Sequence, residues 1–373
     1  MSPPTILILA GDPSGDVHAA AVVRALRERL PDVRLIGLGG PRLAAEGVEL
    51  LADLDRLAVM GIVEIIPRLV FFRWLERRLR SLLDGVVVDL VLAVDYPGLN
   101  LRMARHARRR GVPVLYYIAP KVWAWRAGRT RRLARDADRI AVIFPFEAEP
   151  LRAAGADARF VGNPLLEARE PVLGRAALVG ALGLDPGRPL LALLPGSRRH
   201  EVARHLDLFV EAARRIVRAR PDLQPVLARA GSVPAAALAR AGLPVTTETR
   251  ALLHHAAGAI VKSGTGTLEA ALEGVPFVVA YRVHPLTAAI GRRLIRVPYV
   301  ALPNLIAGKV VVPELLQEAA TPQRLAATLL PLLDPASAER ARMLSELSGV
   351  RGLLGTPGAS ARVAEMAVEL LRS

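Results

Sequence analysis

Three features of the sequence predict two parallel α/β sheets, each covered by helices on both faces. Short runs rich in Val, Ile and Leu alternate with Ala/Arg-rich stretches of helical length. The runs are apolar almost without interruption, as in strands buried on both faces, whereas one-sided strands alternate apolar with polar residues. A Pro/Gly-broken segment, VGNPLLEAREPVLGRAALVGALGLDPGRP at 161–189, divides the series in two, and at 373 residues each half can bury its own core.

In chain order, the first series has strands at 5–9, 34–38, 86–94, 114–118, 140–144 and 159–161. The second has them at 190–194, 225–228, 245–247, 259–261 and 277–281. The stretches between them suit helical crossovers, which parallel pairing requires. The boundary is placed near 164–169, giving domains 1–165 and 166–345 and a C-terminal helical segment, 346–373, that packs back on a first domain. The sequence leaves open whether that is its own first domain or the one of a homodimer partner.

Hydrophobic residues make up 52% of the chain and cysteine is absent, which excludes a disulfide framework, a thiolate nucleophile and a Cys-ligated metal. The formal net charge is +15, and 47 of the 50 basic residues are Arg. Such an excess points to anionic partners, whether nucleic acid, phosphorylated substrates or an acidic membrane surface, and solvated helix faces account for part of it. The start, MSPPTILILAGD, has no basic n-region, and no apolar run approaches the ~18 residues of a membrane span. A cytoplasmic chain, at most peripheral on a membrane, is expected.

Each half opens with a strand running into a glycine-containing turn at a helix start. The first is LILAGDPSGDVHAA, the second LALLPGSRRHEVARHL, and AIVKSGTGTLEAAL follows later in the second half. Free N–H groups and the positive end of the helix dipole make such turns anion sites, and ligands of open α/β sheets lie beyond the carboxyl ends of the strands. Two sheets facing each other would form a cleft between them. SGTGTLE is not a dinucleotide fingerprint, because the expected third glycine falls at Glu269 and no acidic residue ends the next strand. A nucleoside diphosphate fits better, its phosphates on Ser263, Gly264, Thr265, Gly266 and Thr267 and its ribose hydroxyls on Glu269.

The histidines build no metal site. His200 and His205 are five apart, off the four-residue helical spacing, and no carboxylate cluster joins His254 and His255. His18 is read as a surface or partly buried helical histidine. No metal and no cofactor is expected.

The segments AGDPSGD, MGIVEI, VDYPGLN, YIAPKVWAWR, FPFE, VGNPL, LPGSRRHEV, SGTGTLEAAL, YR and LPNLIAGKVVVPELLQ, in this order and spacing, resemble the lipid-A-disaccharide synthase family from about residue 6 to about residue 317. The resemblance implies two facing Rossmann-like domains with a cleft between them, the GT-B fold. It also implies an inverting, metal-independent glycosyltransferase. The reaction would join UDP-2,3-diacylglucosamine to 2,3-diacylglucosamine 1-phosphate through a β-1,6 bond and release UDP. Domain 1–165 would then bind the acceptor and face the membrane, and 166–345 would bind the UDP-sugar. Asp12 departs from the family's usual Glu, Pro13 from a small residue, Leu99 from Phe, Ala119 from Ser and Asn163 from His.

Displacement at an anomeric carbon needs a base for the acceptor hydroxyl and positive groups for the departing diphosphate. Asp95, at the carboxyl end of the strand at 86–94, is where an α/β sheet presents a cleft carboxylate, and the resemblance implies the same residue as base. A turn or cap role before Pro97 is its structural counterpart, and Asp12 and Asp16 are rival carboxylates. Gly11, Asp12, Ser14, Gly15, Asp16 and Asn100 are the first-domain substrate contacts. Arg198, with Ser197 and Glu201, joins a guanidinium to a helix N-terminus and suits the diphosphate, while Arg199 and Arg204 are read as solvent-facing. Arg282 and Asn304 complete the second-domain set.

Residues 57–80, LAVMGIVEIIPRLVFFRWLERRLR, gather Met60, Ile65, Val70, Phe71, Phe72 and Trp74 beside Arg73 and Arg77. An Arg-edged aromatic patch reads either as a core helix with a basic outer face or as a surface on an anionic inner membrane, and the acylated substrates favour the second. Two rival functions are consistent with parts of the sequence. A UDP-GlcNAc epimerase or another lipid-linked sugar transferase should lack the VWAWR and LPNLIAGK stretches. A nucleic-acid binder is disfavoured by 4% aromatic residues and the absence of a recognition motif.

Overall fold

The apolar runs fold as two parallel sheets in the computed structural model, which describes residues 3–53, 65–85, 88–120, 127–167, 171–283 and 298–372. The chain forms two compact units, Met1–Ala168 with Leu354–Ser373, and Arg169–Leu353. The return to the first unit falls at Leu353–Leu354 rather than at 346. Helix Ala338–Leu353 runs unbroken through that point with Met343, Leu347 and Val350 buried, and the chain turns only at Gly355, which is left-handed at φ 84°.

In the first unit the strands are β1 (Thr5–Ala10), β2 (Arg34–Gly39), β3 (Glu49–Asp53), β4 (Leu90–Val94), β5 (Val114–Tyr117), β6 (Arg139–Val142) and β7 (Asp157–Phe160). They pair in the order β3-β2-β1-β4-β5-β6-β7. Alternate residues of β1 enter opposite layers, as the two-residue period of a strand dictates. Ile6 and Ile8 pack with helices Pro13–Arg29 and Ala359–Leu371, whereas Leu7 and Leu9 pack with Ile65–Gly85, Pro97–Arg109 and Ala127–Asp136. Each such fully buried side chain contributes about 1.5–3 kcal/mol.

The last helix, Ala359–Leu371, therefore supplies part of this unit's own core, through Val363, Ala364, Met366 and Ala367. The outgoing and returning segments are bound to each other at its start. Glu167 accepts the Ser360 N–H at 2.6 Å and the Ser360 hydroxyl at 2.9 Å, Asn163 N–H donates to the Leu354 carbonyl at 3.0 Å, and Arg362 Nε donates to the Val161 carbonyl at 2.7 Å.

The second unit contains β8 (Leu190–Leu194), β9 (Gln224–Ala228), β10 (Val245–Thr246), β11 (Ala256–Lys262), β12 (Phe277–Tyr281) and β13 (Glu314–Leu316), in the order β10-β9-β8-β11-β12-β13. Two strands escaped the sequence reading, β3 and β13, and both lie at sheet edges. Edge strands pair on one side only and need no long apolar run; ELLAD carries acids at both ends, and ELL follows a proline.

The strand order reverses between β1 and β4 in one sheet and between β8 and β11 in the other. Ala10 pairs with Val94, and Leu194 with Val261, so the turns that follow each pair of strands emerge side by side. Winding in opposite directions from such a point opens a crevice above the sheet, where this architecture receives ligands.

β2 lies so close to β1 that a Cβ on Gly37 would overlap the Ile8 carbonyl. Gly37→Ala should lower the unfolding free energy by about 1–3 kcal/mol or more. A denaturant midpoint equal to the parent's would contradict that close approach.

Candidate functional site

At the β1/β4 reversal, the first turn is shaped by its own acids. Asp12 caps helix Pro13–Arg29 and accepts the Gly15 N–H at 2.6 Å, and Ser14 is exposed beside it. Gly11 is bare because the Tyr96 ring lies where a side chain would sit. Asp16, by contrast, is buried. Its carboxylate accepts the N–H groups of Gly40 at 2.7 Å, Arg42 at 3.0 Å and Leu43 at 3.2 Å, so it caps helix Pro41–Ala45. Asp16, expected from the sequence as a substrate contact, braces two turns in the fold.

Asp95 leaves β4 in an unusual conformation. Both Asp95 and Tyr96 are left-handed, with φ 45° and 43°, which costs non-glycine residues about 1–3 kcal/mol each and persists only when neighbours enforce it. The enforcement is visible. Asn100, 1% exposed, donates through Nδ2 to the carbonyls of Leu9 at 2.9 Å, Val94 at 3.2 Å and Asp95 at 2.8 Å, and the Tyr116 hydroxyl donates to the same Asp95 carbonyl at 2.7 Å. Asn100 thus ties β1 to β4 and fixes the loop that carries Asp95.

Tyr116 was not singled out from the sequence, where it is one more apolar-compatible residue of a strand. Burial, reinforced by the Asp95 charge, raises its hydroxyl well above the ordinary tyrosine value, so it stays a donor. On the neighbouring helix, burial lowers the basicity of His18, while Glu167 and Asp12 oppose the shift.

At the β8/β11 reversal, two glycine turns meet. Gly196 adopts φ 136° ahead of helix Arg199–Ala219, and Gly264 adopts φ 146° ahead of helix Thr265–Leu272. Glu201 joins them. One of its oxygens accepts the Ser197 N–H at 3.1 Å and the other lies 2.8 Å from Lys262 Nζ, at the end of β11. Burial raises the Glu201 pKa, but Lys262, the Ser197 N–H and Arg198 together draw it below the ordinary glutamate value. Glu201, expected from the sequence beside the ligand, thus forms an internal ion pair that links the two turns. Lys262, which also lies 5.4 Å from the Tyr281 ring centre, went unnoticed in the sequence. The available signal was its rarity, one of three lysines in an Arg-dominated chain, directly before SGTGT.

Two hydroxyls of the second turn face inward. Ser263 Oγ donates to the Val300 carbonyl at 2.8 Å, and Thr267 Oγ1 donates to the Gly264 carbonyl at 2.7 Å and accepts the Leu302 N–H at 3.3 Å. Asn304 is fully buried, accepting from Val311 at 2.8 Å and Val312 at 2.9 Å and donating to the Val312 carbonyl at 2.9 Å and Glu314 at 2.8 Å. These bonds use its amide donors and its oxygen internally, so Asn304 shapes the loop. Arg198 and Thr265 are exposed, and Gly266, Glu269 and Arg282 are half-buried, at the same end of the sheet. Arg282 is anchored through its N–H to His205 Nε2 at 3.0 Å and through Nε to the Gln317 carbonyl at 3.3 Å. Two helix N-termini thus lie with Arg198, Lys262 and Arg282 at one end of the sheet, and groups of this kind suit an anion.

Among the described residues, no group of three or more His, Asp or Glu side chains could hold a metal ion. His254 contacts Glu273 at 3.0 Å and His255 the Leu173 carbonyl at 2.9 Å.

Of the expected membrane-facing residues, Met60 lies outside the described residues, as do the side chains of Ile65 and Val70 and the whole KVWAWR stretch. Along helix Ile65–Gly85, Leu75, Leu79 and Leu83 are buried against the sheet, Phe71 and Phe72 are partly buried, and Arg73, Trp74, Arg77 and Arg78 are exposed. The Phe71 and Trp74 rings stack at 5.8 Å, and Arg78 lies 5.4 Å from the Trp74 ring centre. Among the described residues, no helix is long and apolar enough to cross a membrane.

The family model described as lipid-A-disaccharide synthetase matches residues 6–350. The lipid-A-disaccharide synthase of Geobacter sulfurreducens is 43% identical over 374 residues, covering 98% of this chain and 97% of that protein. The Myxococcus xanthus enzyme of the same name is 44% identical over 377 residues, covering 99% and 98%. Among solved structures, the S. aureus MnaA–UDP complex aligns with a TM-score of 0.64 at 13% identity, over 99% of this chain and 98% of that one. The calicheamicin glycosyltransferase CalG4 gives 0.61 at 18% identity, over 100% and 99%. At these identities the structures share the fold, that of GT-B glycosyltransferases and epimerases.

Tyr116→Phe removes one of the two side-chain donors on the Asp95 carbonyl. It should lower the unfolding free energy by about 0.5–1.5 kcal/mol. If stability by chemical denaturation is unchanged, the hydroxyl does not hold the strained loop.

Proposed function

The chain belongs to the lipid-A-disaccharide synthetase family, and on that premise we propose that it transfers 2,3-diacylglucosamine from UDP-2,3-diacylglucosamine to 2,3-diacylglucosamine 1-phosphate. The products are the β-1,6-linked disaccharide 1-phosphate and UDP. The observation that carries this reading is the placement of the motif loops. AGDPSGD and VDYPGLN occupy one strand-order reversal, and LPGSRRHEV and SGTGTLE the other.

In this mechanism Asp95 takes the proton of the acceptor's 6-hydroxyl as that oxygen attacks the anomeric carbon. The bond from that carbon to the UDP oxygen breaks, and its electron pair leaves with UDP. A single displacement inverts the anomeric configuration. The held, left-handed loop suits a base that must meet the hydroxyl in one orientation, since preorganised geometry spares reorganisation during the reaction. In the second unit, the turns at Ser197–Arg198 and 263–267 bind the diphosphate, Arg198 and Arg282 balance the charge that develops on it, and Glu269 accepts hydrogen bonds from the ribose. Helix Ile65–Gly85 rests on the anionic cytoplasmic face of the inner membrane through Trp74 and its arginines, where acylated substrates are found.

Incubation with both acylated substrates should yield UDP and the disaccharide, and failure across several acyl lengths would overturn the reading. Asp95→Asn should reduce turnover by about 10²–10⁴-fold, the contribution of a positioned base, with UDP affinity unchanged. Near-parental turnover in Asp95→Asn, with turnover abolished in folded Asp16→Asn, would move the base to Asp16.

Reversing charge at Arg73, Arg77 and Arg78 together should weaken binding to anionic vesicles at low salt by at least about 100-fold, from about 1 kcal/mol per Arg, while sparing UDP affinity. Equal vesicle binding by variant and parent would refute the membrane surface.

A further inference from the structure

A buried histidine that no motif reading singled out makes two directional contacts at the β8/β11 end of the second unit. His205, on helix Arg199–Ala219, is 1% exposed. Its Nδ1 lies 2.8 Å from the Glu201 carbonyl oxygen and its Nε2 lies 3.0 Å from the Arg282 backbone nitrogen. A carbonyl can only accept and a backbone N–H can only donate. The partners therefore dictate the ring's state, a neutral imidazole with hydrogen on Nδ1 and a lone pair on Nε2.

What Nε2 holds is the first residue beyond β12. The Arg282 N–H goes to His205 and its Nε to the Gln317 carbonyl, and the next N–H, of Val283, goes to Gln317 Oε1 at 3.3 Å. Gln317 is itself left-handed, at φ 51°. The root of the Arg282 side chain is thus fixed from two sides, by the His205 ring and by a constrained glutamine. The groups facing His205 are Glu201 and Arg204 from its own helix, Lys262 from β11, Tyr281 from β12 and Arg282 just beyond it, with Phe209 edge-on at 5.9 Å. Burial lowers the imidazole's basicity; the Glu201 carbonyl and carboxylate oppose this, and the Lys262 and Arg204 charges add to it.

We propose that His205 is a positioning residue for diphosphate binding: as the neutral Nδ1–H tautomer it fixes the Arg282 backbone, and protonation of the ring turns the acceptor into a donor and releases it. This rests on reading the second unit as the UDP site. His205 itself touches neither substrate nor reacting atoms. The direction of the pH effect follows from the geometry and the sign of the shift. The ring is neutral at pH 7 and charges only on the acid side of the ordinary histidine value, so UDP affinity holds through neutrality and falls in acid.

The test is calorimetric titration of UDP into the full-length protein from about pH 5 to about pH 8, for the parent, His205→Phe and His205→Gln. Phenylalanine fills the space without an acceptor, so at neutral pH the dissociation constant should rise about 10-fold, the scale for a buried N–H left unpaired. Glutamine presents an oxygen where Nε2 stood and does not titrate in this range. It should restore most of the affinity, and the ratio of its affinity to the parent's should grow as the pH falls. Titration of UDP itself is common to all three proteins and cancels in that ratio. Parental affinity at every pH in a His205→Phe protein with an unchanged melting temperature would overturn the proposal. So would a Gln-to-parent ratio independent of pH, which remains measurable if the Phe variant does not fold. Absence of UDP binding to the parent would instead overturn the donor-site reading on which the proposal rests, and it is seen before any variant is made.

Discussion

Everything chemically interesting in this chain depends on the reversal of winding at the centre of each parallel sheet. A parallel strand sends its neighbours' connections over one face or the other. Where the direction changes, two adjacent strands release their turns on opposite sides and leave a crevice above their carboxyl ends. The β1/β4 pair places the Gly11–Asp16 turn beside the Asp95 loop, and β8/β11 places the Ser197–Arg198 turn beside Ser263–Thr267. No single loop makes a site; pairs of loops, brought together by strand order, do.

Turns that leave a buried sheet carry backbone groups that water no longer satisfies, and this explains the fate of several motif residues. Asp16 takes three N–H groups, Asn100 three carbonyls and Asn304 two N–H groups and a carbonyl, and Glu201 spans an N–H and a lysine. A buried polar group left unpaired costs roughly 1–3 kcal/mol, so these side chains hold the turns in one shape. The motif residues therefore divide into those that build the loops and those the loops present. Asp95, Arg198, Thr265, Glu269 and Arg282 belong to the second group, each exposed or half-buried at a strand's carboxyl end or in the helical turn that follows it.

The positive charge divides in a similar way. Many arginines of the first unit sit in exposed ion pairs, such as Arg24–Glu46, Arg102–Glu76 and Arg110–Asp84. Pairs of this kind contribute typically 0–1 kcal/mol, and they are the solvated helix faces that composition suggested. Arg73, Arg77 and Arg78 stand differently, on the outer face of one helix around Trp74. In the second unit the most enclosed of these cations is a lysine. Lys262 is nearly enclosed between Glu201 and Tyr281, where its charge is less screened than that of a surface arginine.

The sequence by itself determined the class of fold and the inner strands of both sheets, because burial on two faces writes an uninterrupted apolar run into eight or fewer neighbouring residues. It also marked the loops that carry function, because a strand that ends in Gly, Asp or Ser before a helix is a local event. Of the four edge strands, β3 and β13 were not legible, since ELLAD is ended by acids and ELL is three residues long after a proline. Tertiary structure alone decided that β4 pairs with β1 and β11 with β8. It alone assigned Asp16, Glu201 and Asn304 to internal bracing, and it alone disclosed Tyr116, Lys262 and His205. For the last three the reason is the same. Their partners lie far along the chain, Tyr116 from Asp95, Lys262 from Glu201 and His205 from Arg282, and a hydrogen bond across such separations exists only once the sheet has set its strand order.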